Sequence, residues 1–278
     1  MNIYTLNVAQ GQFVVIEGQK EAVIVDTYVP LNADQNTTFV KGALPKILKD
    51  KKLKGVIFTG FDDDHFCDVG VQMALNKYRP DWVMYPRYFK ETNTATECFK
   101  HINGLEASMK QQQLTLLRHS IDLADARQPR FLNSISSEFI FELFSPHKAG
   151  MNSSNNGSIV CKVTERATGA TYLITGDTET DRWASIVKEF KDQLKSDVMA
   201  APHHGSRNGI TAEVMKYVKP HTVIISAGID SKYGHPHAEA IAIYKAHAQK
   251  HWRTNTTDGV SIKTVADGKT VNSYKYEG

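Results

Sequence analysis

Four apolar runs in this chain each deliver aspartate or histidine at their C-terminal ends. Gly55-Val56-Ile57-Phe58 leads into Thr59-Gly60-Phe61-Asp62-Asp63-Asp64-His65. Ile174-Thr175-Gly176 ends in Asp177, and Met199-Ala200-Ala201-Pro202 ends in His203-His204-Gly205-Ser206. Val223-Ile224-Ile225-Ser226 precedes Tyr233-Gly234-His235-Pro236-His237. Apolar runs this short, bounded by turn residues, read as buried strands. Strand ends feed loops held by a rigid sheet, where chemistry is usually placed. Asp62 to His65 put three carboxylates and an imidazole into four residues. Such crowding is unfavourable unless a positive charge sits among the acids, and aspartate with histidine is an ordinary ligand mixture for a divalent cation. The pattern calls for a fold that gathers several strand ends at one place.

The remaining sequence supplies elements for such a fold. Alternation predicts a meander of short strands over 2–8, 13–17 and 21–26. Phe39, Leu44, Ile47 and Leu48 recur at helical spacing within 38–51, with lysines on the other side. A strand over 55–59, a helix over about 68–78 and a strand over 81–85 follow. Residues 86–136 are the least regular, with one helix near 94–112. Strands return at 138–144, 157–164 and 171–176. Then come helix 179–192, strand 197–201, helix 210–218, strand 221–226, helix 238–250 and closing strands near 259–265 and 270–275. Periodicity thus gives a mixed α/β chain whose helices cover sheet faces. The candidate ligands run from residue 62 to residue 235, so one site draws on most of the chain and a single domain over 1–278 is expected.

Composition fits a globular enzyme: 41% of residues are apolar and 23% charged. The net charge of +3 does not by itself point to nucleic acid. The lysines between Lys41 and Lys54 read as a solvated helix face rather than a track for a phosphate backbone. Three cysteines, Cys67, Cys98 and Cys161, form no paired spacing, which points to reduced thiols and a cytoplasmic protein. Cys67 reads as a small packed residue at a helix start. No signal peptide is evident, and no apolar run approaches the roughly 20 residues of a membrane span.

The motifs also stand in a familiar order. Leu6-Asn7-Val8-Ala9-Gln10-Gly11-Gln12 looks like a V-G-Q-G-D segment, and Val23-Ile24-Val25-Asp26-Thr27 like a first-motif strand with its terminal Asp. The 59–65 stretch stands where H-x-H-x-D-H would be. Asn155-Asn156-Gly157-Ser158 matches N-N-x-S, and Gly176-Asp177 matches a fourth-motif G-D. His203-His204-Gly205-Ser206, Gly234-His235-Pro236 and Thr257-Asp258-Gly259 match H-H-G-S, G-H-P and a closing T-x-D-G-type segment. In this order the chain resembles the metallo-β-lactamase-fold hydrolases, and within them the soluble hydrolase domain of the DNA-uptake channel protein ComEC and its stand-alone relatives. The resemblance implies an αββα four-layer sandwich.

Departures from the family pattern refine that expectation. The first-motif histidine is Gly60 here and the second is Asp62, while Asp64 and His65 are kept. No third-motif histidine is assignable, because His101, His119 and His147 lack a matching context. The resemblance then implies one intact metal position, built from Asp64, His65, Asp177 and His235. A weaker second position is thinned to Asp62 and Asp177. Three nearby aspartates favour Mn²⁺ or Mg²⁺, and two histidines keep Zn²⁺ open. Asp64, Asp177 and His203 are the expected catalytic residues. One member of the His203–His204 pair is expected at the site and the other in the core, with His203 preferred at the site. His204, Ser206 and Asn156 are candidates for substrate contact. Asp26 is expected to orient ligands without touching metal. Asp68 is expected to cap the following helix, and His237 to be a solvated neighbour of His235.

The expected activity is metal-dependent hydrolysis of phosphodiesters in nucleic acid through a metal-bound hydroxide, the nuclease assignment coming from the resemblance. Two rivals stand beside it: a hydrolase of a small phosphodiester or lactone, and a degenerate module that binds without catalysis. A wide basic channel would speak against the small ester, and a closed apolar pocket would favour it.

Overall fold

The computed structural model describes residues 1–30, 34–88, 91–122, 130–146, 153–257 and 259–278; for residues 34–36 and 130 it describes only the backbone. His147 and Asp258 therefore lie outside the described residues. Two sheets form the centre. The first runs β15-β14-β1-β2-β3-β4-β5-β6, built from Val271–Tyr276, Ser261–Ala266, Asn2–Thr5, Val14–Glu17, Glu21–Val25, Lys52–Ile57, Trp82–Pro86 and Leu117–Ile121. The second runs β13-β12-β11-β10-β9-β8-β7, built from Lys250–Arg253, Thr222–Ile225, Val198–Ala200, Thr171–Ile174, Val160–Glu165, Phe139–Ser145 and Arg130–Leu132.

Side-chain alternation along these strands explains the layering. Successive residues of a strand point to opposite faces. Ile3, Val14, Ile16, Val23 and Val25 face one way, where Phe139, Phe141, Val163, Tyr172 and Ile174 of the other sheet meet them. Tyr4, Val15, Ala22 and Ile24 face the other way, onto helices α1 (Asp34–Ile47), α2 (Asp68–Tyr78) and α3 (Asn93–Gln111). Leu173, Met199, Val223 and Ile225 face α4 (Thr180–Phe190), α5 (Ala212–Val218) and α6 (Ala238–His247). Each inner strand thus feeds two cores, which is why the runs read as continuously apolar. The result is the αββα sandwich.

Differences from the sequence reading fall at the sheet edges. The strands Leu117–Ile121 and Arg130–Leu132, edge strands both, lie in the stretch read as irregular, and the edge strand Lys250–Arg253 begins at the last residue of the helix expected over 238–250 and is not among the expected strands. All three edges carry charged residues, so alternation is faint in them. Asp68 does not cap α2. Cys67 holds that position with its thiol donating to the Val29 carbonyl (3.3 Å), and Asp68 lies in the first turn, 2.5 Å from His101 Nε2.

Two close contacts set the position of the site. A methyl group on Gly70 would lie 1.6 Å from the Thr27 carbonyl oxygen, so only glycine lets α2 sit against the end of β3. At the far end of β3, Glu21 binds the second sheet: its carboxylate accepts from Ser136 Oγ (2.5 Å), Ser137 Oγ (2.9 Å) and the Glu138 amide (3.2 Å). Burial alone would raise its pKa, but these donors, with Lys54, hold it below its usual value of 4.5. A carboxyl depressed in the folded chain contributes stability above its unfolded pKa, and that stability is lost as pH falls through the folded value. Glu21→Gln should therefore cost about 1–3 kcal/mol at pH 7. The difference in thermal midpoint from the wild type should shrink as pH is lowered below about 4. A midpoint difference independent of pH would show that Glu21 acts through shape alone.

Candidate metal centre

The cluster is built from the outside inwards. Asp26, fully buried at the end of β3, has a left-handed backbone (φ 54°), which aspartate tolerates better than most residues. Its carboxylate accepts from the Thr59 amide (2.7 Å), Thr59 Oγ1 (2.7 Å), Gln12 Nε2 (3.1 Å) and His65 Nδ1 (2.7 Å). The last bond places the His65 proton on Nδ1 and leaves the Nε2 lone pair pointing inwards. His204 is oriented in the same way, because its Nδ1 donates to the Ser226 carbonyl (2.8 Å). Loop backbone is pinned as well: the Gln12 amide donates to Asp64 O (2.9 Å) and the Thr27 amide to His65 O (2.9 Å).

Asp64, His65, Asp177 and His204 each offer one donor atom, and these atoms all lie within 4.8 Å of one another. His65 Nε2 stands 2.9 Å from Asp177 Oδ1, and His204 Nε2 stands 3.5 Å from Asp64 Oδ2 and 3.6 Å from Asp177 Oδ1. Among the described residues, His65 Nε2, His204 Nε2 and Asp177 Oδ1 are buried without a hydrogen-bond partner. Three orphaned acceptors that face one point are costly in each other's company. Two carboxylates and two imidazoles at this spacing suit a divalent cation.

Electrostatics agree with the geometry. Burial disfavours the ionised form of Asp177, yet His65, then His204, hold it well below the usual carboxylate range. Asp64 is likewise lowered against the effect of burial, by the nearby imidazoles of His204 and His65. Burial opposes protonation of His65, but Asp177 and Asp26 raise its pKa well above normal. His204 is raised against burial by Asp177 and Asp64. His235 goes the other way, pushed down to about 4 by burial and by His203, His204 and His237. The carboxylates of Asp177, Asp26 and Asp64 thus raise the affinity of both imidazoles for positive charge, and a cation bound among them would take the place of protons.

The structure separates the candidates. Asp64, His65 and Asp177 converge. His204, expected on the substrate or in the core, is the fourth member of the set. His235, expected as a ligand, lies outside the set, with its ring stacked 6.3 Å from that of His204 and edge-on 5.3 Å from that of His203. His203, preferred for the site, sits at its rim, with Nε2 4.0 Å from Asp177 Oδ2. His203 and His204 both have left-handed backbones (φ 49° and 54°). Strain of about 1–3 kcal/mol at such residues persists where the surroundings hold them and gathers at functional sites. Asp62 lies outside the set on the wall of an adjoining cleft. Ser206 Oγ accepts from the Asn208 amide (3.3 Å) within its own turn, and Asn156 Oδ1 accepts from the Glu179 amide (3.2 Å). His237 Nδ1 accepts from the Arg207 amide (3.1 Å).

ComE operon protein 3 of Bacillus subtilis is 31% identical over 213 residues, which cover 77% of this chain and 25% of that protein. Competence protein ComA of Neisseria gonorrhoeae is 31% identical over 122 residues, 44% of this chain and 17% of that protein. The chain is a metallo-β-lactamase-fold homologue of these ComEC-type proteins. It spans about a quarter or less of the length of either. The fold is shared with Igni18, a metallo hydrolase from Ignicoccus hospitalis, at a TM-score of 0.50 and 12% identity over 95% of this chain and 98% of that one. It is shared as well with CmlA, a diiron β-hydroxylase from Streptomyces venezuelae, at a TM-score of 0.51 and 12% identity over 90% of this chain and 52% of that one. No family model matches the chain.

Within this ComEC-type frame, Gly60 has an explanation. Its φ lies outside the left-handed region, and an added Cβ would meet only Tyr88 Oη at 3.8 Å and Ser158 Oγ at 4.0 Å. The backbone does not require glycine there, so Gly60 is an omitted side chain rather than a turn device. Gly60→His combined with Asp62→His should then raise the zinc bound per chain without lowering the thermal midpoint, since imidazole suits Zn²⁺. Zinc content and midpoint measured on the same sample check this; a lowered midpoint with unchanged zinc would contradict it.

Proposed function

We propose that this chain is a metal-dependent phosphodiester hydrolase acting on nucleic acid. The convergence of Asp64, His65, Asp177 and His204, with lone pairs turned inwards, carries the reading. A divalent cation held by these four residues supplies the Lewis acidity that activates a water and neutralises charge growing on a phosphoryl oxygen. Two oxygen and two nitrogen donors favour Zn²⁺ or Mn²⁺ over Mg²⁺. Asp177, in contact with both histidines, fixes the geometry. His203 at the rim turns Nε2 towards the cluster, 4.0 Å from Asp177 Oδ2, and on this reading protonates the leaving oxygen.

The adjoining cleft supports metal dependence. It measures about 510 Å³ and is lined by Asp62, Asp63, Asp64 and Asp230, with Lys232, Tyr28 and Tyr233. It is neither a basic channel nor an apolar pocket. Such an acid-lined wall repels a phosphodiester unless a bound cation offsets it. Three of the lysines after α1 are committed elsewhere: Lys51 donates to Gly18 O and Gln19 O, and Lys52 and Lys54 both pair with Asp81. Nucleic acid as substrate is supported by the ComEC-type relationship. The modest acidic cleft favours, as a second reading, a small phosphodiester. The described helices include none long and apolar enough to cross a membrane.

Asp177→Ala removes the shared ligand but no apolar mass from the core. It should reduce hydrolysis of single-stranded oligonucleotides by Mn²⁺- or Zn²⁺-loaded protein by at least about 10³-fold, with the far-UV spectrum unchanged. Wild-type rates in this variant would contradict the mechanism. Cleavage of bis(p-nitrophenyl) phosphate but of no oligonucleotide by the wild type would move the assignment to the small-ester reading.

A further inference from the structure

The N-N-x-S segment contributes no member to the four-residue set, yet it is not idle loop. Asn155 Nδ2 donates to Glu179 Oε1 (3.2 Å), and Ser153 Oγ donates to Glu179 Oε2 (3.3 Å). Asn156 Oδ1 accepts from the Glu179 amide (3.2 Å), and Ser158 Oγ accepts from the Asp177 amide (3.1 Å). Arg182 Nε donates to the Asn156 carbonyl (2.9 Å) and holds the turn against α4. The segment, together with Ser153 just before it, is therefore a clamp on Asp177 and Glu179, and between them Asn155 and Ser153 hold both oxygens of the Glu179 carboxylate.

That carboxylate has no capping task. Glu179 occupies the N-cap position of α4, but its side chain makes no capping hydrogen bond. It is turned towards His203 instead, with Oε1 3.7 Å from Nδ1. Among the described residues, His203 Nδ1 is buried without a hydrogen-bond partner. The ring thus stands between two acids: Glu179 on the Nδ1 side and Asp177 Oδ2, 4.0 Å from Nε2, on the side of the cluster. Its backbone is fixed by the bond from the His203 amide to Gly176 O (3.0 Å) and by that from the Ser206 amide to His203 O (2.8 Å). A distance of 3.7 Å is too long for a hydrogen bond, but contacts of this kind often tighten only when substrate binds.

We propose that Glu179 is a positioning residue for His203: it accepts a hydrogen bond from Nδ1–H, fixes the ring, and so aims Nε2–H at the leaving oxygen of a phosphodiester. In this step the bond from phosphorus to the leaving oxygen breaks with its electron pair going to that oxygen, which takes the Nε2 proton. The oxygen of water forms the new bond to phosphorus. A phosphomonoester and an alcohol result, and the proton released by the water restores the one His203 gave up. The inference rests on the hydrolase reading above and assigns a task to a residue two positions beyond Asp177.

The test compares two esters that differ in their need for a proton. Thymidine 5′-(p-nitrophenyl) phosphate loses a stable phenolate, whereas a thymidine dinucleotide must lose an alkoxide. With metal-loaded protein, Glu179→Ala should lower kcat for the dinucleotide by about 10- to 100-fold, with KM little changed and less than about a two-fold effect on the nitrophenyl ester. Glu179→Gln, which keeps an acceptor oxygen, should recover part of the loss. Asn155→Ala should show a smaller loss of the same selectivity, and it serves as the reading if Glu179→Ala does not fold. Metal content should equal that of the wild type in all three. Equal losses on both esters, or loss of metal, would overturn the positioning role and leave the hydrolase reading intact. Failure of the wild type to cleave either ester would overturn both.

Discussion

The bond from His65 Nδ1 to the Asp26 carboxylate, 2.7 Å long, is the interaction on which the arrangement turns. A histidine at the end of a buried strand can satisfy itself in many ways. Here one nitrogen is committed to Asp26, so the other must face Asp177. The same carboxylate ties down Thr59 and Gln12, which joins three separate loops around one charge. The Ser226 carbonyl plays the equivalent part for His204. The inward lone pairs are thus produced from outside the cluster. A cation would find its donors already oriented, with little side-chain entropy left to lose.

The sandwich places this chemistry at one edge of both sheets. Asp26 and the 59–65 loop follow parallel strands of the first sheet, and Asp177, His203 and Ser226 follow parallel strands of the second. Parallel neighbours end on the same side, so their C-terminal loops meet without any long excursion of chain. The backbone cost appears locally, in the left-handed Asp26, His203 and His204.

Much of this was legible in the sequence. The apolar runs and their terminal Asp64, His65 and Asp177 follow from hydrophobic pattern and the cost of crowding acids, and the order of motifs indicated the sandwich. Which of His203, His204 and His235 joins the set was not legible. That choice depends on consecutive left-handed residues, which reverse the direction of each side chain and leave no trace in periodicity. The edge strands Leu117–Ile121 and Lys250–Arg253 were missed because polar residues dilute alternation where only one neighbour pairs. Glu179 was missed for another reason. An acid at a helix start is usually a cap or a dipole partner, and only the positions of Ser153 and Asn155 show it turned elsewhere. Its spacing from Asp177, two residues along the same strand exit, was the available signal.

The central claim is that Asp64, His65, Asp177 and His204 hold one divalent cation. Anomalous diffraction at the metal edge, from crystals soaked in manganese or zinc chloride, tests it most directly. The account predicts one strong peak among these four side chains, at ligand distances of about 2.0–2.6 Å. A peak seated instead on Asp62, Asp63 and Asp230, with the four-residue set left to its own ion pairs, would contradict it.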